Sequence, residues 1–113
     1  MNWTIEFYKT KSGNCPVRKY LSSLNPQGRS TILEAMEYLE AFGPELKEPY
    51  VKYLGDKIFE LRAKDHQGIY RVLYFTATQK RFIMLHGFTK KTQKTPRQDI
   101  EIALKRKKEF IDE

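Results

Sequence analysis

The chain has 113 residues, 40% of them hydrophobic and 31% charged, with a net charge of +7. That length suits one domain over residues 1–113 with a single core, and one cysteine, Cys15, excludes an internal disulfide and a cysteine-built zinc site. The opening MNWTIEFY lacks the basic and apolar regions of a signal peptide, and no stretch approaches the ~20 apolar residues of a membrane span; the expectation is a cytoplasmic protein that needs no membrane.

Residues 3–8 alternate Trp3, Ile5 and Phe7 with Thr4, Glu6 and Tyr8, the pattern of a half-buried strand. After a polar turn, Pro16 suits a helix start, and Val17, Tyr20, Leu21 and Leu24 form one apolar stripe. Asn25-Pro26 ends that helix and opens a second, with Asn25 as cap and Pro26 at the first position. Ile32, Ala35, Met36, Leu39 and Phe42 make its stripe, Glu34, Glu37 and Glu40 face water, and Gly43-Pro44 stops it. Residues 45–55 read as a loop with a short extended piece at 50–53.

Residues 57–94 hold the densest signal. Three runs alternate with period two and are joined by the short polar connections 65–68 and 77–80, which predicts an antiparallel meander. With four-residue loops, Arg62 falls opposite Arg71 and Arg71 opposite His86, in one row of a mixed face. The next rows are Glu60, Leu73, Met84 and then Ile58, Phe75, Phe82. The other face is apolar and is the natural cover for the helical hairpin. Like charges directly opposite destabilise a sheet, so an Arg pair beside a His suits an anion site. The same row also fits a solvated polar face, with Glu60 pairing diagonally to Arg71. Lys90 and Lys91 leave the last strand at this end.

The last helix is predicted from a capping-box pattern, with Thr95 as cap, Pro96 first and Gln98 three residues past the cap. It carries Ile100, Ala103 and Leu104 on one face and then the basic run Lys105, Arg106, Lys107, Lys108. The order is strand, helix, helix, three strands, helix: an α+β fold with helices on one face of a mainly antiparallel sheet. Residues 56–113 carry +6 of the net charge, residues 1–55 only +1. Phosphate in RNA, DNA or the ribosome complements such a surface, as does an acidic protein.

The segments IFELRAKDHQGIYRVLYF and MLHGFTKKTQKTP, with a helix ending in ALKR, resemble the phage-derived, HigB-like branch of the RelE/ParE toxin superfamily. The resemblance spans nearly the whole chain. It implies the toxin of a type II toxin–antitoxin pair, a ribosome-dependent endoribonuclease (mRNA interferase). Its partners would be a HigA-like helix-turn-helix antitoxin, in a higher-order assembly, together with the ribosome and mRNA. The alternative within the superfamily is a ParE-like toxin that binds and poisons DNA gyrase. Carried over by position, the family's basic site residues fall on Arg62, Arg71, Lys90 and Lys91.

Cleavage of this kind uses the substrate's own 2′-OH and calls for no metal or cofactor. Arg71, with Arg62 beside it, suits the phosphate through its planar fork. Lys90 and Lys91 suit the backbone or the leaving oxygen. His86 is the candidate for proton transfer, with two neighbouring cations lowering its pKa, and Glu60 is the alternative base. Phe88 could stack on a displaced base. Lys94, Arg97 and Lys105, Arg106, Lys107 and Lys108 are candidate RNA contacts, and His66 lies in a hairpin loop. Relatives place a Tyr or His near the start of the last helix, where this chain has Lys94-Thr95-Pro96-Arg97.

Overall fold

The computed structural model describes residues 2–112. The chain runs β1 (Thr4–Phe7), α1 (Pro16–Ser23), α2 (Pro26–Phe42), a 3-10 turn (Gly43–Glu45), β2 (Val51–Gly55), β3 (Ile58–Asp65), β4 (Gly68–Ala77), β5 (Arg81–Lys90) and α3 (Arg97–Ile111). The five strands form one sheet in the order β1-β5-β4-β3-β2. β1 lies parallel to β5 and every other pair is antiparallel. This is the expected α+β fold, with its N-terminal strand, helical hairpin, meander and C-terminal helix. No helix among the described residues is long and apolar enough to cross a membrane.

The helical hairpin forms as its stripes predict. Asn25 caps α2 by accepting a 2.8 Å hydrogen bond from the Gly28 amide, with Pro26 in the first turn. Val17 and Leu21 of α1 and Ile32, Ala35, Met36 and Leu39 of α2 pack on Leu61, Tyr70, Val72, Tyr74, Phe82 and Met84 of the sheet. Phe42, expected in that stripe, ends the helix with 56% of its surface exposed.

The short extended piece expected at 50–53 within the loop at 45–55 is β2, which runs on to Gly55. It joins β3 through Asp56 and Lys57, both at positive φ (53° and 63°). A two-residue hairpin turn of this kind normally advertises itself with Asn-Gly or Asp-Gly. Asp-Lys carries no such signal.

Helices cover both faces of the sheet, not one. On the second face, Ala103, with Leu104 and Phe110 of α3, packs on Ile58, Leu73, Phe75, Ile83, Leu85 and Phe88. The mixed face is therefore roofed by α3 and not solvated, while the diagonal pairing of Glu60 with Arg71 is present.

The register differs from expectation in β5 alone. Arg62 lies opposite Arg71 as predicted. The β4–β5 connection, however, has three residues, since Ala77 pairs with Arg81. That one-residue slip turns Phe82 and Met84 toward the helical hairpin and Ile83 toward α3. A bulge then follows: Tyr74 pairs with Met84 but Leu73 with His86, leaving Leu85 as the extra residue. The bulge returns His86 to the face of Arg71 but two residues out of step. Phe88, not His86, stands opposite Arg71.

Candidate active site

β3 and β4 deliver Glu60, Arg62 and Arg71 beneath the N-terminal end of α3. Glu60 and Arg71 have no exposed side-chain surface, so their charges meet at low dielectric. Glu60 Oε2 lies 3.8 Å from Arg71 Nη1. Its Oε1 accepts from Arg62 Nε, and Oε2 also accepts a 2.5 Å hydrogen bond from the Thr95 hydroxyl. One carboxylate thus serves two arginines and anchors the segment before α3.

Thr95 therefore does not cap α3, which begins at Arg97 with Pro96 in the cap position and no side-chain cap. Its hydroxyl donates to Glu60 instead, which holds Thr95 on β3 one residue ahead of the cap position that Pro96 occupies.

Arg71 is the anomaly. Among the described residues none of its three guanidinium nitrogens has a hydrogen-bond partner, although all are buried. The group lies over the Phe88 ring, 5.6 Å from the centroid. Burial lowers its pKa, Glu60 and Asp99 oppose that shift and Arg62 adds to it. A guanidinium remains charged all the same. Glu60 is its counter-ion, but among the described residues its five N–H donors make no hydrogen bond, and buried donors left so suit a further acceptor such as an anion.

Arg62 is engaged on three sides. Besides Glu60, its Nη1 donates to Gln93 Oε1 at 3.3 Å and its Nη2 donates to the Gln93 carbonyl. Among the described residues two of its five N–H groups have no partner.

His86 belongs to α3 more than to the arginines. Its Nε2 lies 2.7 Å from Asp99 Oδ1 and its Nδ1 lies 3.4 Å from Arg106 Nη1. Arginine only donates, so Nδ1 is the acceptor and Nε2 carries the proton given to Asp99. Burial lowers the His86 pKa first, the Asp99 hydrogen bond and charge raise it, and Arg106 lowers it. The expected depression is present, but burial and Arg106 are its causes instead of Arg62 and Arg71. The His86 ring also stacks on Phe88, centroids 5.4 Å apart. With Arg71 on it as well, the Phe88 ring is occupied within the protein.

Lys90 reaches toward the same carboxylate, Nζ 4.0 Å from Asp99 Oδ2, and is about half exposed. Lys91 and Lys94 are exposed on the segment before α3. Arg97 pairs with Glu101 along the helix surface at 3.5 Å.

The basic run in α3 does not act as one patch. Arg106 turns inward, donating a 2.9 Å hydrogen bond to the Leu85 carbonyl. Lys107 donates to the Asp56 carbonyl at 2.9 Å and lies over Phe75. Lys105 and Lys108 are exposed. His66 is exposed in the β3–β4 turn.

Three members were not anticipated as such: Asp99, Thr95 and Gln93. Asp99 sits in the first turn of α3, where an acid also suits the helix dipole. Only the packing of α3 on β5 gives it His86. Among the described residues no group of three or more His, Cys, Asp or Glu side chains converges as a metal site would require.

Residues 19–108 match the family described as Phage derived protein Gp49-like (DUF891). The chain is also similar to proteins named "Probable endoribonuclease HigB1" from two Mycobacterium tuberculosis strains, CDC 1551 / Oshkosh and ATCC 25618 / H37Rv. Each is 33% identical over 107 residues, covering 93% of this chain and 82% of the relative. With its five-stranded sheet, its helical hairpin and its paired arginines, the chain belongs to this Gp49-like phage-derived family, the HigB-like branch of the RelE/ParE toxins.

Proposed function

We propose that this protein is the toxin of a type II toxin–antitoxin pair and a metal-independent endoribonuclease that cuts translated mRNA on the ribosome. The observation that carries the proposal is Arg71, a buried cation with five unengaged donors, set beside a second arginine. The HigB1 relatives, named as probable endoribonucleases, support the same chemistry. A scissile phosphate is the anion that fits.

In this mechanism the 2′-oxygen of the substrate attacks the adjacent phosphorus and the bond to the 5′-oxygen breaks. The products are a 2′,3′-cyclic phosphate and a 5′-hydroxyl end. Arg71 and Arg62 stabilise the charge that builds on the phosphorane, a role in which one lost donor set costs about 100-fold or more. Glu60 positions both arginines. His86 is the candidate acceptor for the 2′-OH proton, through Nδ1 once it parts from Arg106, with Asp99 fixing the tautomer. Lys90, with Lys91, supplies the proton or charge needed at the leaving oxygen. Phosphate reaches Arg71 when the 91–96 segment, held by Thr95 on Glu60 and by Gln93 on Arg62, draws back. A HigA-like helix-turn-helix antitoxin is the proposed partner, with the toxin–antitoxin complex a higher-order assembly in the cytoplasm.

Primer-extension mapping of message 5′ ends in a translation extract tests this. Wild type should produce new ends only on translated message, and Arg71→Ala should lose them. Intact message with arrested growth and inhibited gyrase would overturn the proposal in favour of a ParE-like action.

A further inference from the structure

A groove of about 300 Å³ lies where β3 runs past the end of β2, facing α2. Its wall includes Glu34 and Tyr38 from α2, Tyr50 before β2, Arg62 and Lys64 from β3, and Gln93. The volume is at the small end of ligand sites. Tyr38 and Tyr50 meet edge to face, centroids 5.5 Å apart, and Tyr50 leaves 40% of its surface exposed. Arg62 and Gln93 are shared with the candidate active site, so the groove and the arginine cluster are continuous through one guanidinium.

We propose that this groove receives one nucleobase of the RNA whose phosphate binds at the arginines, and that it selects a base bearing an exocyclic amine. The proposal rests on the RNA-cleaving role argued above and deepens it to substrate selection. Single-stranded bases are held by aromatic faces and read along their edges, and the tyrosines supply the face. Glu34 is exposed and only accepts, so it favours the amine of adenine, cytosine or guanine and disfavours the carbonyl edge of uracil. The two free N–H groups of Arg62 and the ammonium of Lys64 take the phosphate at the rim.

Binding can be read without any cleavage. The full chain is titrated by NMR with the 3′-monophosphates of adenosine, cytidine, guanosine and uridine, and with inorganic phosphate. The three amine-bearing nucleotides should shift the Tyr38 and Tyr50 ring signals, uridine monophosphate should bind weakest, and inorganic phosphate should leave the tyrosines unmoved. Tyr50→Ala should weaken nucleotide binding about five-fold or more, and Glu34→Gln should erase the disadvantage of uridine. Both positions are exposed, so both variants should keep the wild-type fold by amide spectrum. Shifts identical to those from inorganic phosphate, or an unchanged titration in Tyr50→Ala, would overturn the groove even if message cleavage is intact. Tyrosine shifts in a protein that leaves message uncut would uphold the groove and overturn the nuclease.

Discussion

The hydroxyl of Thr95 donates a 2.5 Å hydrogen bond to Glu60 Oε2, tying the segment before α3 to the middle of β3. The same carboxylate balances Arg62 and Arg71. A single buried anion therefore decides both where the cations sit and whether the roof over them stays down.

Glu60→Gln leaves two cations without their counter-charge. Breaking a buried pair from one side costs about 3 kcal/mol or more, so the urea midpoint should fall by that equivalent. Thr95→Val removes one neutral donor and should cost about 1–2 kcal/mol. A Glu60→Gln protein as stable as wild type would mean that the carboxylate does not hold the arginines.

Arg71→Met should lower both stability and function. It removes one partner of the buried pair with Glu60, and the carboxylate left behind keeps only Arg62 and Thr95, so the loss should be about 1–3 kcal/mol. Cleavage should drop about 100-fold or more. Denaturant unfolding and primer extension on the same preparation check the two halves together.

His86 should titrate below its ordinary value of about 6.5, because burial is the largest influence on it. A folded-state pKa lowered for a base means that the unfolded chain binds more protons in the interval between the two values. The stabilising contribution is complete above the ordinary histidine pKa and is lost as pH falls toward the lowered one. Asp99 raises the pKa and Arg106 lowers it, so Asp99→Asn should move the midpoint down further and Arg106→Gln should move it up. Proton NMR of the His86 ring reads both directions. The same sign for both variants would contradict Asp99 and Arg106 as the opposed charged neighbours of His86.

Gly87 is required by close approach. A Cβ placed there would come within 2.3 Å of the Tyr20 ring. Tyr20 cannot easily yield, since its hydroxyl donates to the Phe88 carbonyl at 3.0 Å and lies 2.6 Å from the Thr89 hydroxyl oxygen. Gly87→Ala should destabilise the fold by about 1–3 kcal/mol, read as a lower thermal midpoint. Tyr20→Phe should do less, as it removes the hydroxyl's two hydrogen bonds without a clash.

Much of the fold was legible because it rests on local periodicity. The stripes of α1 and α2, the Asn25-Pro26 boundary and the alternation in β3 and β4 all act within a few residues. The pairing of Arg62 with Arg71 followed from them, as a short turn leaves little choice of register. β2 was legible only as the short extended piece at 50–53, since Asp56 and Lys57, which follow Gly55 in the turn, adopt left-handed conformations that their residue types do not mark.

The site was legible in its ingredients and not in its arrangement. Two arginines, a glutamate, a histidine and a phenylalanine on neighbouring strands can be read from residue types and spacing. That His86 serves Asp99 and Arg106, and that Phe88 takes the position opposite Arg71, depends on a three-residue turn and on the bulge at Leu85. Neither has a local sequence marker. The roof is likewise tertiary: helical periodicity shows that α3 has an apolar side, but only packing against Ile58, Leu73 and Phe75 chooses the sheet face it covers. Sequence by itself determined the elements and the charges they carry, because those obey short-range rules. Tertiary structure alone decided which charges are buried together, because that choice depends on contacts between residues far apart in the chain.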